Sequence, residues 1–327
     1  MAVIGIESSA HTLGIGIVKE GRVLANVRRM YRITDKGIIP VKVSDFHANG
    51  LRATLAEALR KAHVTMEDID AVGFTRGPGI GPCLRVGQLA AGALSLGCGI
   101  PLYAVNHGVA HIEIAKHLGR MRDPLAVYVS GGNSQILGLV EEPFRHYKVF
   151  GETFDIGVGN MLDNFARQAG LNPAWGSTVA QAAIGGRYID MPYTVKGMDF
   201  TFTGLLTYAV KLLQKEPLRD VAFSMQETAF SMICEATERA LLLSGKRGIV
   251  LSGGVAQSKR LAEMMREVAS EHGVRFFIAP NEFNADNGAM IALVAEKMAE
   301  AGMKSVRGPG EINQKYRVDA AEIGWEG

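Results

Sequence analysis

The feature that most constrains the fold is a recurring unit: an apolar strand, a short turn of small polar residues, and a second apolar strand. It opens the chain as VIGIESSAHTLGIGIV from Val3 and returns midway as AVYVSGGNSQILGLV from Ala126. β-rich runs at Val3 to Ile6, Leu13 to Val18 and Val23 to Tyr31, separated by polar turns, predict a three-stranded meander. A helix is predicted from His47 to Ala62, a strand from Ala71 to Thr75, a glycine-rich loop from Gly77 to Pro82, a helix from Arg85 to Leu96 and a strand from Leu102 to Val105. The second copy predicts strands at Ala126 to Val129, Gln135 to Val140 and near His146 to Phe150. Strands alternating with helices make this an α/β protein, and the duplicated hairpins predict two similar lobes whose tips face one cleft.

A third tip, Ser252-Gly253-Gly254-Val255, ends a strand from Gly248 to Leu251 and precedes a helix from Lys259 to Ala269. Such a turn offers backbone N–H groups to an anion, and three around one cleft would hold a nucleotide; singly, each also reads as an ordinary turn. The Gly77 to Pro82 loop lacks the Lys-Ser/Thr ending of a phosphate cradle and reads as a backbone bend. A chain of 327 residues matches about two domains. The expected first lobe is 1–122, with a C-terminal segment from about 300 to 327 packing back on it, and the second is 123–299.

With 47% hydrophobic and 21% charged residues the chain buries real cores, which excludes disorder and coiled coil. A net charge of +2 excludes a polybasic nucleic-acid binder held by charge alone, so any such contact is local. Arg28, Arg29, Arg32, Lys36 and Lys42, and separately Lys116, Arg120 and Arg122, are either phosphate contacts or solvated faces. Cys83, Cys98 and Cys234 lie far apart with no CxxC pair, excluding a disulfide framework and a thiolate zinc site and fitting a reducing cytoplasm. No basic region precedes Glu7, so the start reads as a strand rather than a targeting peptide. The uncharged stretch Val86 to His107 is broken by Gly97, Gly99 and Pro101, which predicts a buried helix and strand and no membrane partner.

His107 and His111, four apart in NHGVAHIEIAKH, share one helix face and either ligate a metal or stand as a core-edge pair. HGVAH lacks the Glu of HExxH, which argues against a zinc protease. Asp286 precedes a helix beginning near Asn287-Gly288 and reads as a carboxylate aimed into the cleft, a helix cap, or both. Tyr128, on a cleft-lining strand, reads from chemistry alone as core packing.

Seven blocks in order then resemble the universal tRNA threonylcarbamoyltransferase family, whose archaeal and eukaryotic members sit in the KEOPS complex and whose bacterial member is TsaD. They are GPGIGPCLRVG from Gly77, VNHGVAHIE from Val105, YVSGGNSQ from Tyr128, GETFDIGVGNMLDNFAR from Gly151, VKGMDFTFTGL from Val195, LSGGVA from Leu251 and DNGAMIA from Asp286. The SGGN and GMDF wording is similar to the archaeal branch. The resemblance implies the actin-like ATPase and sugar-kinase fold, two ribonuclease-H-like lobes around a nucleotide cleft. It implies an acyltransferase moving threonylcarbamoyl from threonylcarbamoyl-AMP to N6 of the adenosine beside the anticodon.

By the same resemblance His107, His111, Tyr128 and Asp286 hold iron or zinc, with His107, His111 and Asp286 serving catalysis. Tyr128, Val129, Ser130, Gly131, Gly132 and Asn133 contact the acyl or phosphate part of threonylcarbamoyl-AMP, ATP or AMP, Asp163 and Gly176 contact the nucleotide, and Gly253, Gly254 and Ser258 line the third tip. Glu7 stands where relatives of this fold carry a phosphate-side carboxylate, or pairs with an N–H at its hairpin tip. Lys196 and Asp199 match a family block and equally fit a structural ion pair. Implied partners are tRNA, a small atypical kinase, a dimerising small subunit, a tRNA-binding subunit and an upstream threonylcarbamoyl-AMP synthase.

Three positions depart from the family pattern: Trp175 before Gly176, Ala180 where a carboxylate is usual, and Ser258 where an amide is usual. Two rival readings are a nucleotide-binding scaffold subunit without turnover and a sugar-kinase-like phosphotransferase.

Overall fold

The computed structural model describes residues 1–32 and 38–325; Lys36, one of the candidate phosphate contacts, lies outside them. The chain divides into two compact units, one of Met1–Arg120 and Val140–Tyr147 with the segment from Pro280 onward, the other of Met121–Leu139 and Lys148–Ala279. In the first, strands β1 (Ala2–Glu7), β2 (Thr12–Lys19), β3 (Arg22–Met30), β4 (Ala71–Gly77) and β5 (Leu102–Asn106) form a sheet in the order β3-β2-β1-β4-β5. The β1–β2–β3 meander is antiparallel, and β4 and β5 join in parallel. Its helices are α1 (Pro40–Ala62), α2 (Gly81–Cys98) and α3 (His107–Leu118).

The second unit repeats the plan with β6 (Leu125–Val129), β7 (Ser134–Val140) and β8 (His146–Glu152). It carries helices α4 (Val158–Gln168) and α5 (Gly176–Ala182), the short hairpin β9 (Val195–Lys196) and β10 (Asp199–Phe200), and helices α6 (Thr203–Leu212) and α7 (Leu218–Ser244). Strand β11 (Gly248–Ser252), helix α8 (Lys259–Glu271) and strand β12 (Arg275–Ile278) complete it, and the sheet order is β12-β11-β6-β7-β8. Strand β6 pairs antiparallel with β7 and parallel with β11, as β1 does with β2 and β4. The duplicated strand-turn-strand unit thus seeds two sheets of one topology. The chain then returns to the first unit through α9 (Asn281–Asn284) and α10 (Gly288–Glu300).

Alternation along β1 and β2 explains the first core. Ile4, Ile6, Ile15 and Ile17 face a cluster with Val72, Phe74, Ala58, Ala91 and Leu102. The opposite face carries glycine, and α10 lies directly on it: a Cβ at Gly5 would stand 2.1 Å from the Ala292 nitrogen, at Gly16 2.2 Å from the Ala289 nitrogen, and at Gly288 2.1 Å from the Gly16 nitrogen. Helix and sheet meet backbone to backbone, and the return to the first unit therefore begins at Pro280, ahead of the border near 300 read from the sequence. Helix α1 also starts earlier than read, because Pro40 occupies its first turn, where a fixed φ and a missing N–H are tolerated.

Lys116 is not a surface cation. It is 3% exposed and donates to Glu113 Oε1 at 2.8 Å and to the Tyr147 hydroxyl at 2.9 Å. Glu113 also accepts from Lys297 at 2.6 Å and from the Trp325 indole N–H at 3.0 Å. Burial opposes its charge, but the two ammonium groups outweigh burial and hold the carboxyl down to about 2. The network ties α3, α10 and the C-terminal segment together.

Gly16→Ala is expected to lower the unfolding free energy by about 2–4 kcal/mol, because backbone must move to admit the methyl group. Gly97→Ala, in α2 with nothing within 4 Å of the new atom, is expected to be neutral or to stabilise by up to about 1 kcal/mol. Urea unfolding of both variants checks the contrast.

His47 on α1 is fully buried. Burial holds its pKa below the ordinary 6.5, so the folded state keeps the ring neutral. The unfolded chain takes up a proton below that pH, so this contribution to stability is present above 6.5 and is lost as pH falls. His47→Phe is expected to flatten the acid side of the stability curve, read as urea midpoints at about pH 7.5 and 5.5.

Candidate metal centre

Helix α3 springs directly from the end of β5, and Asn106 caps it: Oδ1 accepts the Val109 N–H at 3.1 Å while Nδ2 donates to the Tyr316 and Arg317 carbonyls at 3.1 and 3.0 Å. The first residue of the helix, His107, and the residue one turn on, His111, point the same way, with ring centroids 4.7 Å apart and planes at 85°. Asn287 caps α10, its Oδ1 accepting the Met290 N–H at 3.0 Å. The cap role expected of Asp286 thus falls to its neighbour. The Asp286 carboxylate turns to the histidines, with Oδ1 3.3 Å from His111 Nε2 and 3.5 Å from His107 Nε2.

One donor atom from each of His107, His111 and Asp286 lies within 4.8 Å of the others. His111 is 1% exposed, whereas the Asp286 side chain is 21% exposed, so the cluster is walled by protein with one member reaching solvent. Burial and the nearby His107 keep His111 neutral, although Asp286 and Glu7 pull the other way. Burial also works against the Asp286 charge, but the His111 hydrogen bond and the charge of His107 hold that carboxyl well below the usual range.

Glu7, at the end of β1, is fully buried and closes the arrangement from behind. Its Oε2 accepts from Thr75 at 2.7 Å and sits 2.9 Å from His107 Nδ1, and its Oε1 accepts the Ser9 N–H. Burial disfavours its charge, yet the facing His107 imidazole keeps the carboxyl below its ordinary value. Burial likewise favours neutral His107, but Glu7 and then Asp286 push that imidazole up to about 9. When Nδ1 of the neutral ring donates to Glu7, Nε2 carries the lone pair toward Asp286. A carboxylate behind a histidine in this way fixes tautomer and orientation in metal sites. Two imidazole nitrogens and a carboxylate oxygen suit zinc and iron(II) alike.

In the second unit Tyr128 is buried on β6 at 1% exposure, opposite Gln135 and Ser252. The neighbouring tip exposes Gly131 and Gly132, and it is held on α4 by Gly159 and Asn160 N–H groups donating to the Ser130 and Gly131 carbonyls at 3.2 and 3.0 Å. Asn133 closes the turn, donating to Ser130 Oγ at 3.1 Å, and Val129 is fully buried in the strand. Asp163 Oδ1 accepts the Gly176 N–H at 2.8 Å, bringing those two expected nucleotide positions together. Gly253 takes φ 95°, a value that favours glycine, and its missing Cβ admits the Val129 carbonyl. A short turn at 254–257 follows, and Ser258 caps α8 by accepting the Leu261 N–H at 3.5 Å. Asp199 accepts the Glu152 N–H at 2.9 Å, and Lys196 stands opposite it in the hairpin.

The family described as TsaD, tRNA N6-adenosine threonylcarbamoyltransferase, matches residues 22–293. The chain is 47% identical over 328 residues to the tRNA N6-adenosine threonylcarbamoyltransferase of Thermococcus sibiricus, covering 99% of this chain and 100% of that one. The chain belongs to the tRNA N6-adenosine threonylcarbamoyltransferase family. Among solved structures, HypF of T. kodakarensis superposes with a TM-score of 0.65 at 16% identity, over 93% of this chain and 48% of that one. A ROK family glucokinase from Streptomyces griseus superposes with a TM-score of 0.52 at 12% identity, over 90% and 99%. Such low identities establish fold alone, the sugar-kinase and actin-like ATPase fold that the family resemblance implied.

In this member of the threonylcarbamoyltransferase family, Thr75 and Ser9 escaped the sequence reading, since each serves the site only through Glu7. Asn106 was also not read as a cap, though an Asn directly before the helical histidine pair is the signal that marks it.

Equilibrium dialysis with elemental analysis is expected to find one zinc or iron(II) per chain and none in His107→Ala combined with His111→Ala. Glu7→Gln is expected to weaken binding about 10- to 100-fold, the usual effect of losing a histidine's carboxylate partner. Full metal retention by the double variant would refute the centre.

Proposed function

We propose that this chain forms N6-threonylcarbamoyladenosine in tRNA, taking threonylcarbamoyl from threonylcarbamoyl-AMP and attaching it to the adenosine beside the anticodon. The observation that carries the reading is the convergence of His107, His111 and Asp286 within 4.8 Å, in a chain of this family. In the reaction the adenosine N6 forms a bond to the carbamoyl carbon. The bond from that carbon to the phosphate oxygen breaks, AMP leaves with the electron pair, and one N6 proton passes to solvent. His107, His111 and Asp286, joined by Tyr128, would hold a zinc or iron ion that supplies Lewis-acid polarisation of the acyl carbonyl.

The chain's own groups position the reactants. Glu7 orients His107 through Nδ1. Backbone N–H groups of the Ser130 to Asn133 and Gly253 to Gly254 turns would receive the acyl or phosphate oxygens, and Asp163 and Gly176, with Ser258 near the third tip, would face the nucleotide. ATP or AMP would occupy the same place. Holding N6 and the carbamoyl carbon together supplies the effective-concentration gain, and no covalent protein intermediate takes part. The setting is a cytoplasmic tRNA-modification assembly of the KEOPS kind, with a small atypical kinase, a dimerising small subunit and a tRNA-binding subunit, supplied by a threonylcarbamoyl-AMP synthase. Among the described residues no helix is long and apolar enough to cross a membrane.

Reconstitution with synthase, tRNA, threonine, bicarbonate, ATP and partner subunits, scored by mass spectrometry of digested tRNA, tests the proposal. Wild type is expected to give modified adenosine, and His107→Ala with His111→Ala is expected to lower the rate at least about 100-fold, as expected for loss of a metal-assisted step. No product from wild type, with partners proven on a related subunit, would leave a nucleotide-binding scaffold.

A further inference from the structure

Helix α4 organises the exposed face of the second unit. Its N-terminal turn holds the Ser130 to Asn133 tip, it packs against the 254–257 turn, and it packs against α5. Asp163 sits one turn, about 6 Å, beyond Gly159 along the axis. The start of α5 is pressed onto that turn: Asp163 Oδ1 takes the Gly176 N–H at 2.8 Å, and a Cβ at Gly176 would lie 3.2 Å from the Leu162 side chain. Trp175 stands directly before this anchored glycine. Its N–H donates to the Pro173 carbonyl at 2.9 Å, and its own carbonyl accepts from Thr178 and Val179 at 3.0 and 3.3 Å. The backbone is fixed, yet the indole is 48% exposed.

An exposed indole on a fixed mount offers a flat face that loses little freedom when something flat settles on it. The surroundings narrow what that is. Asp163 is a carboxylate, which accepts several hydrogen bonds at once and suits a vicinal diol. Gly132 and Gly254 have no atom within 4 Å of where a Cβ would stand, so the tips leave room beside the backbone. Ala180, one turn into α5 from Gly176, brings only a methyl group. We infer that Trp175 is a specificity-determining residue that stacks on the adenine ring of the bound adenylate. This rests on the placement of the nucleotide at Asp163 and Gly176 proposed above. The ring lies on the indole, the ribose hydroxyls meet Asp163, and the phosphate faces the glycine tips. Affinity on the base side then comes from ring overlap rather than from hydrogen bonds, and it is greater for a purine than for a pyrimidine.

The test titrates AMP, CMP and ribose 5-phosphate into the full chain by calorimetry and by tryptophan fluorescence, for wild type, Trp175→Phe and Trp175→Ala. Trp325, the other tryptophan, is 6% exposed and serves as a constant background. AMP is expected to quench wild-type emission saturably and to lose about 5- to 150-fold in affinity in Trp175→Ala, with Trp175→Phe recovering most of the loss. Ribose 5-phosphate is expected to bind wild type and Trp175→Ala equally and without quenching. Equal AMP affinity in wild type and Trp175→Ala overturns the stacking role and leaves the nucleotide site standing. No AMP binding to wild type overturns the nucleotide placement and the stacking with it.

Discussion

The close approach of α10 to the first sheet governs the candidate metal centre. With glycine at positions 5, 14 and 16 on one face and Gly288 at the helix start, helix and strand backbones meet directly, and Gly73 leaves room for the Ala295 methyl group. The helix therefore sits lower on the sheet than a packed helix with side chains between would. That depth brings Asp286, two residues ahead of Gly288, level with the histidines of α3 and with Glu7 at the end of β1. Larger residues on that face would lift the helix and carry the carboxylate away, so the glycines act on the site without touching it.

Charge balance is the second constraint. A buried carboxylate, a partly exposed one and two buried imidazoles are costly singly, since a desolvated charge without a partner loses several kcal/mol. Here His107 lies between Glu7 and Asp286, while neutral His111 stands within hydrogen-bonding distance of Asp286. The same rule operates two residues beyond His111 on α3, where Glu113 gathers two lysines, a tyrosine and a tryptophan. Helix α3 thus carries two polar clusters through an otherwise apolar layer.

Much of this was legible in the sequence because the signals are local. The strand-turn-strand unit declares itself by alternation and small polar turns, and the histidine pair by its spacing. Asp286 was found as a residue before a helix start, though the cap itself belongs to Asn287. What escaped depends on residues far apart in the chain. A lysine in a helix gives no sign that Glu113 and Tyr147 will enclose it, as happens to Lys116. Thr75 meets Glu7 only because β4 pairs in parallel with β1. The glycines that admit α10 are visible as glycines, but their partner helix is named only by the folded sheet.

The span between the candidate ligands has a consequence for biosynthesis. His111 and Asp286 are 175 residues apart, with the whole second unit synthesised between them. A ribosome-bound chain displays both histidines long before the carboxylate emerges, and the glycine face of the first sheet waits for α10 over the same interval. Closure of the glycine face and arrival of Asp286 beside the histidines are therefore late events, and a chain truncated ahead of Asp286 would lack both α10 on that face and the third member of the candidate cluster.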